Sequence, residues 1–443
     1  MHSHILLFDK PLQEHHNSIE GEDISSVELL LKSIEFKNNP QKICVKVDRD
    51  KQRIYSSYFI GVDWIHFESK TYLYVEPKLN NTHRNVQTQI NYLGMLFSAL
   101  KHSGVAPYTK DLYHIKFDLP EIEITQSQDL LTPLLVVQFL SLIKEIVRKG
   151  LKKSYYKVEK NLYGKIKGKV LVGQTIKQNV LKNKPINTLC SYEEFGFNGL
   201  ENRLLKKALV FVQRYLPSIK NLKATAYTTD VFNYVNPAFE GVSEDVNLNE
   251  IKHIKINVFY KEYSEAIRLA KLILKRFGYN INSTQQKTIK TPPFWIDMSK
   301  LFELYVLGLL KDKFFGQILY GDMATGNYGL PDFLLAKKDE EKIIDAKYKR
   351  YYKSDFFSLS NDLRDIVASD IRQLSGYARD KKILLNRLKV SENKILDCLI
   401  IYPDQEISTE NIKKLDFENE ITPISQFNRF YKLAIKLPEI STS

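Results

Sequence analysis

Three short runs near the N-terminus switch between apolar and polar residues almost position by position: KICVKV (42–47), YFIGVDWIHF (58–67) and TYLYVEPKL (71–79). A period near two, rich in Val, Ile, Tyr and Phe, predicts β-strands, with ESK (68–70) as the turn between the last two. The period then lengthens. VQTQINYLGMLFSALKH (86–102) places its apolar residues three and four apart and predicts a helix. Residues 128–153 show the same helical period, as do LENRLLKKALVFVQRYL (200–216) and the segment 262–277. NINSTQQKTIKTPP (280–293) is polar, ends in two prolines and reads as a linker. Beyond it the order is a helix (297–314), two short strands, a helix (361–388), a strand ILDCLIIYP (395–403) and a last strand near 430–437. That order predicts a mixed sheet flanked by helices. The fold class is therefore α+β or α/β and multidomain. It divides into a β-rich segment 1–125, a helical and basic middle region 126–290, and a C-terminal α/β domain 291–443.

One stretch breaks its own pattern. LPDFLLAKKDEEKIIDAKYKR (330–350) reads as two apolar strands around a charged turn, yet Asp332 opens the first strand and Asp345 and Lys347 fall in the second. With the turn at Lys337–Glu340, Asp332 comes to lie opposite Asp345. Opposed residues of an antiparallel ladder share a face, with side chains roughly 5 Å apart. A period of two then puts Lys347 on that face too, while Ile344, Ala346 and Tyr348 point to the other. Two facing carboxylates destabilise a hairpin unless a positive charge offsets them. A divalent cation does so, and Mg²⁺, with Mn²⁺ as a substitute, suits two carboxylates plus phosphate oxygens. A lysine beside it can orient or deprotonate a water, or stabilise charge on a phosphate. A surface hairpin with alternating charges would carry the same residues.

Two helices add candidates. Glu303 lies among Leu301, Phe302, Leu304, Tyr305 and Val306, and a carboxylate on so apolar a face needs a partner. That partner is a metal-bound water or a lysine, and the plainer alternative is a rim position paired with Lys300 at i−3. In DIRQLSGYARD (370–380), Gln373 and Tyr377 are four residues apart and share one helix face.

Composition narrows the partners. The chain has 443 residues, is 43% hydrophobic and carries a net charge of +13, enough apolar residue for substantial cores and a balance that favours a polyanion such as nucleic acid. An AT-rich genome that writes Lys wherever the surface tolerates it would give the same charge. Between Lys144 and Lys169 there are ten basic and two acidic residues, interleaved with Tyr155, Tyr156 and Tyr163. Such a stretch suits nucleic acid or a docking protein partner. Cys44, Cys190 and Cys398 are far apart, which excludes a Cys-rich zinc site and points to a cytoplasmic chain. The most apolar run, 130–143, is fourteen residues long, too short to span a bilayer. No GxxxxGK[ST] motif occurs, so the chain is not itself a P-loop nucleotide hydrolase.

Pro331-Asp332 followed by Asp345-Ala346-Lys347 resembles the PD-(D/E)xK nuclease signature, and Gln373 with Tyr377 resembles the Q-xxx-Y element that follows the catalytic strands in some of these nucleases. Over most of its length the chain resembles the McrC family, the nuclease subunits of McrBC-type restriction systems. The blocks that carry this are YLYVEPKL, IVRKGLKKSYYKVEKNLYGKIKGKV, CSYEEFGFNGLENRLLKKAL, IDMSKLFELYVLGLL, LPDFLLA…IIDAKYK and DIRQLSGYA, in that order. The resemblance implies a restriction-endonuclease-like domain at 291–443 acting with Mg²⁺ on double-stranded DNA. Asp332, Asp345 and Lys347 take the catalytic positions, and Asp332, Asp345 and Glu303 hold the metal. Gln373 and Tyr377 are auxiliary, and Lys349, Arg350 and Arg372 are the expected DNA contacts. It also implies docking of the N-terminal portion on a hexameric McrB-like AAA+ GTPase or ATPase, and dimerisation of complexes is one route to cutting both strands. A stand-alone recombination or repair nuclease, and a non-catalytic activator of an AAA+ ring, are the competing expectations.

Overall fold

The computed structural model describes residues 4–8, 33–37, 39–48, 53–66, 71–76, 78–80, 87–100, 102, 105–125, 129–216, 226–246, 261–276, 288–349, 352, 358–405 and 421–439. The front of the chain forms β1 (His4–Phe8), β2 (Ile34–Phe36), β3 (Asn39–Asp48), β4 (Arg53–Ser56), β5 (Phe59–His66), β6 (Thr71–Glu76), β7 (Lys78–Asn80) and β8 (Gln87–Gln89). Helix α1 (Tyr92–Leu100), β9 (Tyr113–Ile115), β10 (Ile122–Thr125) and α2 (Leu131–Lys149) follow. The middle holds β11 (Ser154–Tyr163), β12 (Lys169–Val170), α3 (Val172–Gln178), β13 (Asn187–Gly196), α4 (Leu200–Tyr215), α5 (Ala226–Val235) and α6 (Lys261–Arg276). The last part runs β14 (Thr288–Thr291), β15 (Phe294–Asp297), α7 (Met298–Phe314), β16 (Ile318–Tyr320), β17 (Phe333–Leu335), β18 (Lys342–Ala346), α8 (Asn361–Ala378), the π-helical α9 (Lys382–Leu388), β19 (Asp397–Pro403), β20 (Thr422–Pro423) and β21 (Phe430–Ile435).

The chain divides into two compact units, not into three consecutive segments. One comprises residues 1–137 and 287–443, the other 138–286. The expected C-terminal domain is thus joined to the front of the chain, and the polar stretch 280–293 includes a strand. The physical reason is β15. It lies between β5 and β9 in a five-stranded sheet ordered β1-β6-β5-β15-β9, antiparallel to both neighbours. Its four residues are all buried, as a strand paired on both sides and covered on both faces requires. Trp295 donates its indole N–H to Asp63 at 2.7 Å, and Lys116 lies 2.5 Å from the same carboxylate oxygen. Gly61 makes the close pairing feasible: its φ is +153°, and a Cβ there would stand 2.1 Å from the Phe294 carbonyl oxygen. β14 pairs with β10 just upstream, so the return of the chain is stitched at two places.

β15 leads straight into α7. Asp297 caps that helix by accepting the Lys300 N–H at 3.0 Å. Ten of the helix's residues are buried, Met298, Phe302, Tyr305 and Leu310 among them. Burial all round is what the near-continuous apolar sequence calls for.

The expected mixed sheet is present and larger than the sequence suggested, six strands in the order β16-β17-β18-β19-β21-β20. β16 to β18 are antiparallel, β18, β19 and β21 are parallel, and β20 is antiparallel to β21. Leu334, Ile343, Cys398 and Ile400 form one core with Val367, Ile371, Leu374 and Tyr377 of α8 and with Ile383 and Leu384 of α9. The other face, with Phe333 and Ile344, is fully buried on the side of α7, where Phe302 packs on Tyr348 with ring centroids 5.6 Å apart.

In the second unit β11, β13 and β12 form a three-stranded sheet in that order. α4 buries Leu204, Leu205, Ala208, Leu209 and Val212 at helical spacing. Asn202 donates to the carbonyls of Phe197 and Lys152 and accepts from Tyr263, whose hydroxyl also accepts the Lys152 N–H. The start of β11, α4 and α6 are thereby tied together.

Trp295→Phe is expected to destabilise the chain by about 2 kcal/mol, because it removes a hydrogen bond to a buried carboxylate and leaves that acceptor short of a donor. Urea denaturation of the full chain checks this, and an unchanged midpoint would show that Asp63 is satisfied by Lys116 alone.

Candidate active site

The unusual hairpin folds in the register its sequence predicts. Phe333 faces Ile344, Leu334 faces Ile343 and Leu335 faces Lys342. The turn closes with the Glu340 N–H donating to the Lys337 carbonyl at 3.0 Å. One step beyond β17, Asp332 therefore stands opposite Asp345. Its Oδ2 accepts the Ala346 N–H at 2.8 Å, which ties the first carboxylate to the second strand.

Lys347 leaves β18 on the same face. Its Nζ is 2.7 Å from Asp345 Oδ2, 3.5 Å from Asp370 Oδ1, and donates to Gln373 Oε1 at 3.3 Å. Gln373 in turn donates to the Tyr377 hydroxyl at 3.0 Å. The structure thus brings Asp332, Asp345, Lys347, Gln373 and Tyr377 together. Asp345 Oδ2 is buried, ion-paired to Lys347, and receives no well-directed hydrogen bond.

Asp370 belongs to this cluster and was missed in the sequence. Buried on α8, it accepts from Lys349 at 2.9 Å and from the Tyr352 hydroxyl at 2.5 Å. A signal existed: Asp370, Gln373 and Tyr377 sit at i, i+3 and i+7, one face of a helix. What hid it was that Asp370 becomes meaningful only once α8 lies over β18. Of the three basic residues expected at DNA, Lys349 is committed to Asp370, Arg372 is exposed on α8, and Arg350 lies outside the described residues.

Glu303, expected at the metal, is paired with Lys300, its plainer alternative partner. Lys300 donates to it at 2.9 Å and also to the Tyr320 hydroxyl at 2.6 Å. Among the described residues no group of three or more His, Cys, Asp or Glu side chains is gathered to hold a metal ion. The expected trio of Asp332, Asp345 and Glu303 therefore does not stand as a ready three-carboxylate cage. A facing pair of carboxylates remains, with Glu303 near enough for its charge to act on Asp332.

The electrostatics follow from that crowding. Burial pushes the Asp332 carboxyl well above the usual carboxylate range, and the charges of Asp345 and Glu303 push it further, against smaller opposing effects of Lys347 and the Ala346 N–H. For Lys347 burial alone would lower the ammonium pKa, but Asp345, Asp370 and Asp332 outweigh it and hold the group above its ordinary value. Lys347 is thus a fixed positive charge and a poor base. Burial pulls Lys349 below the ordinary lysine value in spite of Asp370. Burial raises the Tyr320 hydroxyl, and Glu303 beside it adds to the effect. Counting Glu303, Asp332, Asp345 and Asp370 against Lys300, Lys347 and Lys349, the ionised cluster is one positive charge short of neutral.

Fold and site together define a two-unit α/β chain whose mixed sheet carries a carboxylate–lysine hairpin under a Gln/Tyr helix. A family model described as McrBC 5-methylcytosine restriction system component matches residues 57–403, and the chain belongs to that family. Among solved structures it is similar to a refined half-complex from the tetradecameric assembly of Thermococcus gammatolerans McrB AAA+ hexamers with bound McrC. That match has 14% identity and a TM-score of 0.36, and covers 98% of this chain and 94% of the other. A second match, the cryo-EM structure of the Thermococcus gammatolerans McrBC complex, has 16% identity and a TM-score of 0.29, and covers 70% of this chain and 87% of the other. No curated protein matches the chain. Among the described residues no helix is long and apolar enough to cross a membrane.

The raised Asp332 carboxyl sets a pH dependence. The folded state holds its proton more tightly than the unfolded chain, so stability is greatest below the ordinary carboxylate pKa and falls as pH rises through the folded-state value. Asp332→Asn is expected to raise the melting temperature at pH 7 and to flatten that decline. Melting curves from pH 4 to pH 8 without divalent cations test it, and a variant no more stable than the parent at pH 7 would contradict the assigned strain.

Proposed function

We propose that the chain is the Mg²⁺-dependent endonuclease subunit of a McrBC-type restriction complex, hydrolysing phosphodiester bonds of double-stranded DNA at the hairpin of residues 332–347. The observation that carries this reading is the half-buried Asp332 and the buried Asp345, opposed on one sheet face with Lys347 2.7 Å from Asp345 Oδ2. A structural hairpin gains nothing from that arrangement, because facing carboxylates oppose folding. The residues fit a hard divalent cation bound by one or two carboxylates, with substrate oxygens completing its shell. Asp332 and Asp345 would hold it, and Asp345 Oδ2 has acceptor capacity left. When bound, Mg²⁺ would offset the repulsion of the facing carboxylates and polarise the scissile phosphate.

The chain's own residues divide the remaining work. Lys347, held protonated, donates toward the phosphate oxygen where negative charge builds up. Gln373 fixes the lysine's direction and is itself fixed by Tyr377, so the ammonium is oriented before substrate arrives. Asp370 anchors Lys349 beside it, and Arg372, exposed two residues further along the same helix, would meet the DNA backbone. Glu303 stays paired to Lys300 and adds its field to Asp332.

Energy for site commitment comes from a separate McrB-like AAA+ ring, as family membership and the missing P-loop motif support. The second unit favours a protein partner over nucleic acid for its basic stretch. It exposes Tyr155, Tyr163, Ile166, Leu181, Ile186 and Phe195, each more than half accessible, and apolar side chains gathered in one short stretch mark protein contact.

Asp345→Ala is expected to lower Mg²⁺-dependent plasmid nicking roughly a hundredfold or more while leaving the fold intact. Lys347→Ala is expected to lose turnover comparably but to keep more Mn²⁺ affinity than Asp332→Ala, because a charged lysine is no ligand. Cleavage assays and calorimetric metal titration measure both, and a folded Asp345→Ala chain cutting at the parent rate would remove the hairpin from the mechanism.

Tyr155→Ser combined with Phe195→Ser removes an exposed ring pair with centroids 5.1 Å apart. The double variant is expected to weaken stimulation of the AAA+ partner's nucleotide hydrolysis about tenfold, with DNA affinity unchanged. The opposite result, lost DNA affinity and full stimulation, would assign the stretch to nucleic acid.

A further inference from the structure

The segment 321–331, GDMATGNYGLP, joins β16 to the first carboxylate. Both of its ends are rooted in the candidate site: Tyr320 before it accepts from Lys300, and Asp332 follows it directly. It carries three large side chains in water, Met323 at 51% exposure, Tyr328 at 66% and Leu330 at 51%.

This loop is held rigidly. Asp380, at the end of α8, accepts the Tyr328 N–H at 2.6 Å, the Asn327 N–H and the Asn327 side-chain amide, together with the N–H groups of Lys382 and Ile383. These donors hold its carboxyl below the usual range although burial works the other way. Arg387 donates to the carbonyls of Thr325 and Asp322 at 3.1 and 3.2 Å. The Tyr328 ring meets Tyr377 edge-on at 5.7 Å, and α8 leaves room for it, since a Cβ on Gly376 would stand 2.7 Å from that ring. A continuous path of contacts therefore runs from Tyr328 through Tyr377 and Gln373 to Lys347.

We propose that this loop is a groove-reading wedge: Tyr328 and Leu330 insert against base and sugar edges of duplex DNA, in the minor groove beside the scissile phosphate. The inference rests on the nuclease reading and adds how the duplex is engaged. The loop has a single charged residue, Asp322, so it is not built for phosphates. Phosphate-directed charge is close by on Lys347, which Tyr328 reaches through Tyr377 and Gln373. A rigid apolar projection next to such a charge fits the minor groove, where inserted apolar side chains unstack a base step and bend the duplex. The site then favours deformable steps, and specificity at this subunit comes from DNA shape rather than a base code.

The test uses the full chain carrying Asp345→Asn, so that DNA stays intact, and a 30-bp duplex with 2-aminopurine at successive positions. The parent is expected to bind and to brighten the probe at one step through unstacking. Tyr328→Ala with Leu330→Ala should weaken binding about tenfold, the scale of one lost stacking or wedging contact, abolish the brightening and leave the salt slope unchanged. Arg372→Ala should instead lower affinity and reduce the salt slope, with the brightening kept. Leu330→Ala alone, at a side chain half in water, guards against a folding defect and should give an intermediate loss. A double variant that binds within twofold of the parent, a probe that never brightens, or a parent that does not bind the duplex overturns the wedge. Plasmid nicking by the unmodified chain with Mg²⁺ reads the nuclease proposal separately: wedge-dependent binding without nicking upholds the loop and overturns the catalysis.

Discussion

Repulsion between Asp332 and Asp345 across one rung of a buried hairpin is the constraint on which the C-terminal half is organised. In a partly desolvated site, like charges a few ångströms apart cost more than any single hydrogen bond returns. The neighbours follow from that. Lys347 lies against Asp345, the Ala346 N–H binds Asp332, and Asp370 with Gln373 keeps Lys347 from swinging away.

Rigidity at the site is inherited from its supports. α8 sits on the sheet through Val367, Ile371 and Leu374 and on the same helix presents Asp370, Gln373 and Tyr377. α7 is capped by Asp297 at the end of β15, and so its Lys300–Glu303 pair is positioned by the front sheet. The candidate active site thus depends on residues near position 60 of the chain, through β5 and β15, as well as on its own strands.

Much of this was legible in the sequence because it is set by local periodicity. A period of two around a four-residue charged turn determined the hairpin register, and with it the pairing of Asp332 and Asp345 and the side on which Lys347 emerges. Helical spacing located α4, α6 and α7 to within a few residues and put Lys300 within reach of Glu303, although Glu303 was expected at the metal. Tertiary structure alone decided the rest. β15 pairs with residues more than 170 positions away, and no local pattern encodes a partner at that separation. The two-unit division follows from that one strand. β16 is three residues long, too short to carry a period, and emerges only as the neighbour of β17. Asp370 was not singled out in the sequence, because a helix face gains its meaning from what it is laid against. The exposure of Tyr328 and Leu330 is likewise a tertiary outcome, because apolar identity says nothing of whether the fold turns a side chain inward or, as here, holds it out in water.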